Sequence, residues 1–204
     1  MKSLSYTEAV LLMGADPELF LSRNDEIIGS EKVIPEEGIK ENIYNNKIVR
    51  DGVQIEINPN PASCRAYLGN DISRCFKEIK KILLTNYPDV KLDFRPMIKV
   101  KRKEFNSLSD KSKVFGCEPS MNIYENTQSQ IKVNPKRYLK RSGGGHLHFG
   151  VNFNNEHIRR TFNNPKKLVP MFDMLLGYTC VLLDKNKSNI VRRLYYGKAG
   201  EYRQ

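Results

Sequence analysis

Residues 141–151, Arg-Ser-Gly-Gly-Gly-His-Leu-His-Phe-Gly-Val, constrain the fold more than any other stretch of the chain. Three consecutive glycines lead into His146-Leu147-His148, and apolar residues alternate from there. Alternation predicts a strand, on which residues i and i+2 share a face. His146, His148 and Gly150 then point one way, and Leu147, Phe149 and Val151 pack on the other. Glycine weakens a strand, so three in a row are expected only where something must approach the backbone closely. Two imidazoles rooted roughly 6–7 Å apart on one face, next to a glycine run, suit an anion and a metal sharing one site. A polar strand face beside a flexible turn accounts for the same residues without any ligand.

The 204 residues suffice for one domain with a sizeable core. Hydrophobic residues at 39% and charged residues at 28% fit an ordinary soluble composition, and no apolar run reaches the length of a membrane span. The first eight residues have no long apolar core, so no secretory signal is predicted. Cys64, Cys75, Cys117 and Cys180 form no C-x-x-C pair, which argues against a zinc finger and against a disulfide framework. Reduced thiols in a cytoplasm are expected. The net charge of +11 allows nucleic acid, a membrane surface or a polyanionic small molecule as partner. The denser basic runs, Lys99–Lys103 and Lys136–Arg141, have a solvated surface as their usual meaning.

Ser5 and Glu8 fit a capping box, which predicts a short helix over Ala9–Met13 with Gly14 as its stop. In Gly14-Ala-Asp-Pro-Glu-Leu-Phe-Leu21, Pro17 restricts the strand to a start or an edge. Asp16, Glu18 and Phe20 then share one face, and Leu19 and Leu21 the other. Carboxylates facing the same way repel unless they are exposed or bridged by a cation. Residues 22–48 are loop-rich, with short strands near Ile27-Ile28 and Ile48-Val49. Asp51-Gly52 is a turn signal. The strand after it alternates Val53, Ile55 and Ile57 with Gln54, Glu56 and Asn58. Glu56 is disfavoured mid-strand, so it faces either water or a ligand.

The strongest helical pattern starts at Asn70-Asp71 and carries Ile72, Cys75, Phe76, Ile79, Ile82 and Leu83 to an end at Asn86–Pro88. It packs on the sheet and has no role in a site. Val90–Phe94 and Met97–Val100 are short strands, and Ser107–Lys113 is a polar loop. Residues 114–124 repeat the order glycine, one residue, acid, proline, which makes a second acidic loop around Glu118. Asn164-Pro165 caps a broadly apolar helix to Leu183, expected to be buried. His157 is expected on the surface. Residues 191–204 end the chain with arginines, lysine, glycines and tyrosines suited to phosphate or carboxylate recognition, or to a basic frayed tail, with no closing strand or helix.

Several strands thus carry acids or histidines on one face: Asp16 and Glu18, Glu56, then His146 and His148. Carboxylate-rich ligation suits Mg²⁺ or Mn²⁺ better than Zn²⁺. Two such ions, a glycine run and basic residues fit a nucleoside triphosphate, whose phosphates the metals would screen.

Four stretches in order, Gly-Ala-Asp-Pro-Glu-Leu-Phe-Leu, Val-Gln-Ile-Glu-Ile-Asn-Pro, Gly-Gly-Gly-His-Leu-His-Phe-Gly and Arg-Arg-Leu-Tyr-Tyr-Gly-Lys-Ala-Gly-Glu-Tyr-Arg, resemble the phage-type carboxylate–amine ligases. These are type 2 amidoligases of the glutamine synthetase-like superfamily, and the resemblance runs from about residue 14 to the end. It implies an α+β fold: an antiparallel β-sheet with helices packed on one face, like a glutamine synthetase catalytic domain. It implies ATP with Mg²⁺ or Mn²⁺ on the concave face, and an amide formed through an acyl phosphate. The substrates would be a small-molecule or peptide carboxylate and an amine, in a cytoplasm, the host's if the gene is a phage's.

Carried over by position, Asp16 and His146 hold the ion on the ATP phosphates, and Glu18 and Glu56 hold the ion near the acyl phosphate. His148, Gly144 and Gly145 lie by the nucleotide. Arg193, Lys198 and Arg203 meet phosphate or substrate carboxylate, and Glu118 receives no role. Family members continue to a further strand of the form Gly-x-Glu-Tyr-Arg, so residues 1–204 are expected to be one catalytic domain lacking its C-terminal strand or strands. A metal-dependent hydrolase and a non-enzymatic basic nucleic-acid-binding or virion protein are the rival readings. No membrane partner is expected, and the sequence sets no oligomeric state.

Overall fold

The computed structural model describes residues 9–41, 44–116, 119–129, 133–153, 156, 160, 162–184, 186–193 and 197–203. His157 and Glu118 lie outside the described residues. The chain divides into two compact units. The larger comprises Leu12–Cys117 and Val133–Phe149, and the smaller comprises Met1–Leu11, Glu118–Lys132 and Gly150–Gln204. The architecture is α+β with antiparallel strand pairing.

The larger unit is built on a six-stranded sheet. Its strands are β2 (Glu18–Arg23), β3 (Glu26–Ile28), β4 (Ile39–Lys40), β5 (Lys47–Asp51), β6 (Gln54–Asn58) and β7 (Val90–Asp93). They run in the order β3-β2-β6-β5-β4, with β7 also paired to β2. Strands are present at the expected positions 27–28, 48–49, 53–57 and 90–94, but Val53 lies in the turn ahead of β6 and packs with Phe20, not with Ile55 and Ile57 as its alternation predicts. Leu19 and Leu21 enter one buried cluster with Ile48, Ile55 and Ile57, whereas Phe20 enters a second cluster with Val53, Ile98 and Phe105. Parity therefore puts Glu18, next but one to Phe20, on the face away from the first cluster.

Helix α1 (Arg65–Asn86) covers that first face. Cys75, Ile79 and Leu83 recur every fourth residue and are buried against the sheet leucines and isoleucines. Leu21, Ile48, Ile55, Ile57 and Ile79 are each 0% exposed, and each such side chain contributes roughly 1.5–3 kcal/mol of transfer free energy. The helix starts five residues before the expected Asn70-Asp71 cap, with Cys64 as N-cap. Asp71 lies inside it and pairs with Arg74 at 2.8 Å, since Arg65–Leu68 contain no residue that would stop the helix.

Two further expectations are corrected. Ala9–Ala15 is a strand, β1, paired with β12 (Leu147–Phe153), not a helix. Five apolar residues are too few for their period to separate helix from strand, and an available partner strand decides the matter. Arg141 of the basic run is not solvated. It is 4% exposed, stacked on the rings of Phe105 and Phe115 at 5.0 and 4.8 Å. Its guanidinium donates to the carbonyls of Lys113 and Pro135 at 2.7 and 3.0 Å, and to those of Tyr138 and Lys140. Burial pulls its pKa down to about 10. Arg141 lies on β11 (Lys140–Ser142), which pairs with β8 (Met97–Lys99) directly ahead of the glycine run. A short helix, α2 (Arg102–Ser107), brings Phe105 into the second cluster, on the face α1 leaves uncovered.

Among the described residues the smaller unit holds residues 9–11 of β1, residues 150–153 of β12 and a three-stranded sheet of β9 (Met121–Asn122), β10 (Thr127–Gln128) and β13 (Glu201–Tyr202), in the order β10-β9-β13. Residues 191–204, expected to hold no closing strand or helix, include the end of a helix, Lys187–Arg193, and the strand β13. Asn164 caps the next helical stretch as its sequence predicts, accepting from the Lys166 N–H at 3.1 Å, with Pro165 following. Helical structure continues to Leu183 through a π-helical turn at Asp173–Gly177. The expected burial of this stretch is not found. Met174, Leu182 and Leu183 are 71, 74 and 77% exposed. No helix among the described residues is long and apolar enough to cross a membrane.

Candidate metal centre

Glu18, at the start of β2, stands directly across from Glu56 on β6. Glu56 in turn faces Val49 on β5, and Asp51 lies two residues further along β5 on that same side. The three carboxylates therefore share one face of three adjacent strands, opposite α1. One oxygen from each lies within 4.8 Å of the others. Oxygen ligands sit about 2.0–2.6 Å from Mg²⁺ or Ca²⁺, so a single cation matches this spacing with small side-chain adjustments. Glu18 is buried at 7% exposure. Burial, then the charge of Asp51, push its carboxyl up to about 7, with Glu56 and Asp16 adding and His146 opposing. Burial also raises Glu56. Burial and neighbouring carboxylates both favour the neutral forms, and a bound cation would favour the ionised ones.

Sequence reasoning assigned Asp51 to a turn and missed it as a site residue. The turn contained the signal. A two-residue hairpin connection at Gly52-Val53 sets Asp51 against Gln54, and this register carries Asp51 to the side of Glu56. Gly52 takes φ +57, as such a turn requires. The Gln54 amide donates to Asp51 at 3.0 Å. Gly116 packs so closely on the Asp51 carboxylate that an added Cβ would overlap it at 1.1 Å.

Asp16 has a different environment from Glu18. Its Oδ1 accepts from the His146 backbone N–H. Its Oδ2 lies 3.1 Å from Nδ1 of His146 and 3.0 Å from Nε2 of His148. Burial opposes ionisation, but the hydrogen bonds from the His146 ring, its backbone and the His148 ring outweigh it and hold the carboxyl down to about 2. The two imidazoles do share a face, as their spacing predicts, with ring centres 6.1 Å apart. On the opposite side Leu147 is 62% exposed, so the expected packing of that residue is not found.

The glycine run is placed by backbone pairing. The Asp16 N–H donates to the His146 carbonyl at 3.3 Å and the Glu18 N–H to the Gly144 carbonyl at 3.1 Å. What approaches the glycines closely is the chain's own Asp16-Pro17-Glu18 segment. A Cβ on Gly143 would sit 3.0 Å from the Phe20 ring, and one on Gly145 2.8 Å from the Asp16 carbonyl. Gly145 also takes φ +137, which side chains rarely adopt. Gly144 and Gly145 are themselves exposed.

The larger unit thus brings together Asp16, Glu18, Glu56, Gly144, Gly145, His146 and His148. Arg193, Lys198 and Arg203 belong to the smaller unit. There Arg193 pairs with Asp184 at 3.1 Å, and the Lys198 N–H donates to Glu201. No family model, curated protein or solved structure matches the chain.

Proposed function

We propose that the chain is an ATP-dependent carboxylate–amine ligase of the glutamine synthetase-like type. The observation that carries this reading is the carboxylate group of Glu18, Asp51 and Glu56 on one sheet face, next to a carboxylate that engages two histidines. The donor set fits Mg²⁺ or Mn²⁺: it is oxygen-rich, anionic and partly buried. When bound, such an ion supplies charge screening for phosphate and for an acyl phosphate. The chain's own contribution would be positional. Glu18, Asp51 and Glu56 hold the cation, the exposed Gly144 and Gly145 leave backbone open to a nucleotide, and His148 borders it. Arg193, Lys198 and Arg203 remain assigned to phosphate or substrate carboxylate by the resemblance of their motif. The carboxylate substrate would take the γ-phosphoryl group, and an amine would then displace phosphate to leave an amide.

Incubation of the chain with ATP, Mg²⁺ and pooled amino acids and amines tests this. The expected result is release of ADP and phosphate that requires an amine and is lost in Glu18→Ala. Release without any amine would defeat ligation. A hydrolase is the second reading, favoured by the His146–Asp16–His148 arrangement, which also suits water activation. Activity with Zn²⁺ and no need for ATP would select it.

A further inference from the structure

Two basic runs far apart in the sequence, Lys99–Lys103 and Lys136–Arg141, are brought side by side by the pairing of β8 with β11. Lys140 stands directly across from Lys99, and the Val100 N–H donates to the Leu139 carbonyl at 3.0 Å, which extends the pairing by one residue. Ile98 and Val100 are buried in the second cluster with Phe20 and Phe105, so Lys99 between them points the other way. Lys99 and Lys140 are exposed, as are Arg137 and, on α2, Arg102 and Lys103. They belong to the outer surface of the layer formed by β8, β11 and α2, on the side of the sheet that α1 leaves uncovered. Residues 97–113 and 134–146 hold ten lysines and arginines against two acids, Glu104 and Asp110. Both acids are already engaged, Glu104 by Lys32 at 2.5 Å and Asp110 by Lys136 at 2.7 Å. Lys101 pairs with Glu26. Lys99, Arg102, Lys103, Arg137 and Lys140 pair with no carboxylate among the described residues. Lys99 and Lys140 are also like charges directly opposite one another, an arrangement that destabilises a strand pair unless an anion lies over it.

We propose that the outer surface of β8, β11 and α2 binds the phosphate backbone of duplex nucleic acid. The free cations are spread over two strands and a helix, and a single small anion reaches only one or two of them. A duplex carries one phosphate charge per roughly 1.7 Å of its axis and meets several at once, releasing condensed counterions as it binds. No exposed large apolar or aromatic side chain lies among residues 97–113 and 134–146. A lipid surface would call for such a face, and a single strand for aromatic rings on which bases stack. The surface is separate from the carboxylates of Glu18, Asp51 and Glu56 and does not depend on a bound metal.

The test uses the full chain in EDTA and a short fluorescently labelled DNA duplex, with anisotropy titrations over a series of salt concentrations. The expected result is binding whose log affinity falls linearly with log salt. Lys99→Gln combined with Lys140→Gln is expected to reduce that slope by about 1.8 and the affinity by about tenfold or more at about 0.1 M salt. Arg102→Gln combined with Lys103→Gln probes the same surface from α2 and should act in the same direction. Lys77→Gln combined with Lys80→Gln removes the same charge from exposed positions of α1, across the sheet, and should leave slope and affinity nearly unchanged. The Lys99/Lys140 variant should melt no lower than the parent, since it relieves a like-charge pair. Equal weakening by the α1 variant would assign the binding to net charge and overturn the proposal. So would absence of duplex binding, binding indifferent to salt, tighter binding to a single strand of the same length, or equally tight binding to vesicles of anionic lipid.

Discussion

Glu18 and Glu56 are direct cross-strand partners on β2 and β6, with Asp51 of β5 on the same face. Like charges placed directly opposite one another destabilise a sheet. In the absence of a cation this face is a local weakness in an otherwise well-packed unit, and each prediction below follows from it or from the glycines that shape it.

Glu18→Gln removes one charge from the group while keeping the shape of the side chain. The metal-free variant is expected to be more stable than the parent by roughly 0.5–1 kcal/mol. The rise in melting temperature that Mg²⁺ or Mn²⁺ gives the parent by mass action should vanish in the variant. Thermal melts with added metal and with EDTA check both parts. A variant that still gains stability from metal would remove Glu18 from the site.

The pH dependence has a definite sign. Glu18 is raised from 4.5 to about 7, so the folded chain binds this proton more tightly than the unfolded chain does. The resulting stabilisation is complete below 4.5 and is lost as pH rises through about 7. Asp16 acts in the opposite sense, but only as pH falls below 3.8 toward about 2. Denaturant midpoints of the metal-free chain should therefore rise from about pH 7.5 to about pH 5, with a shallower slope in Glu18→Gln.

Gly116→Ala tests Asp51 without touching a carboxylate. The added methyl would occupy the Asp51 oxygen position, and a side-chain end can swing away at modest cost. The fold is expected to survive with a change in melting temperature of a few degrees at most. Mn²⁺ affinity should fall about tenfold, measured by calorimetry, as one ligand is displaced. Unchanged affinity would show that Asp51 does not contribute.

Gly145→Ala should be costly to the fold. The position has φ +137, and a Cβ there would lie 2.8 Å from the Asp16 carbonyl and 3.1 Å from the Pro17 Cα. Backbone strain of this kind costs on the order of 1–3 kcal/mol, or a drop of several degrees in melting temperature for a chain of this size. A melt equal to that of the parent would mean that the Asp16–Glu18 segment does not pack on the glycine run.

The sequence by itself determined the parity of β2 and of Ile55, Glu56 and Ile57 in β6, though not the side taken by Val53. Leu19 and Leu21 against Glu18 and Phe20, and Ile55 and Ile57 against Glu56, fall on opposite faces as their alternation requires. It likewise determined the buried stripe Cys75, Ile79 and Leu83 of α1 and the Asn164 cap. These depend on a period or on a contact two residues away, and both are local. What only the tertiary structure decided depends on partners distant in the chain. Register and a hairpin turn bring Asp51 to Glu18 and Glu56. Asp16 turns to two histidines 130 and 132 residues later. Ala9–Ala15 becomes a strand because β12 is there to pair with it, and Arg141 is buried because Phe105, Phe115 and backbone carbonyls enclose it. The apolar stretch ending at Leu183 is exposed although its own pattern predicts burial. Burial and pairing are free energies of the assembled chain, so a local pattern states which face a residue takes but not what it meets there.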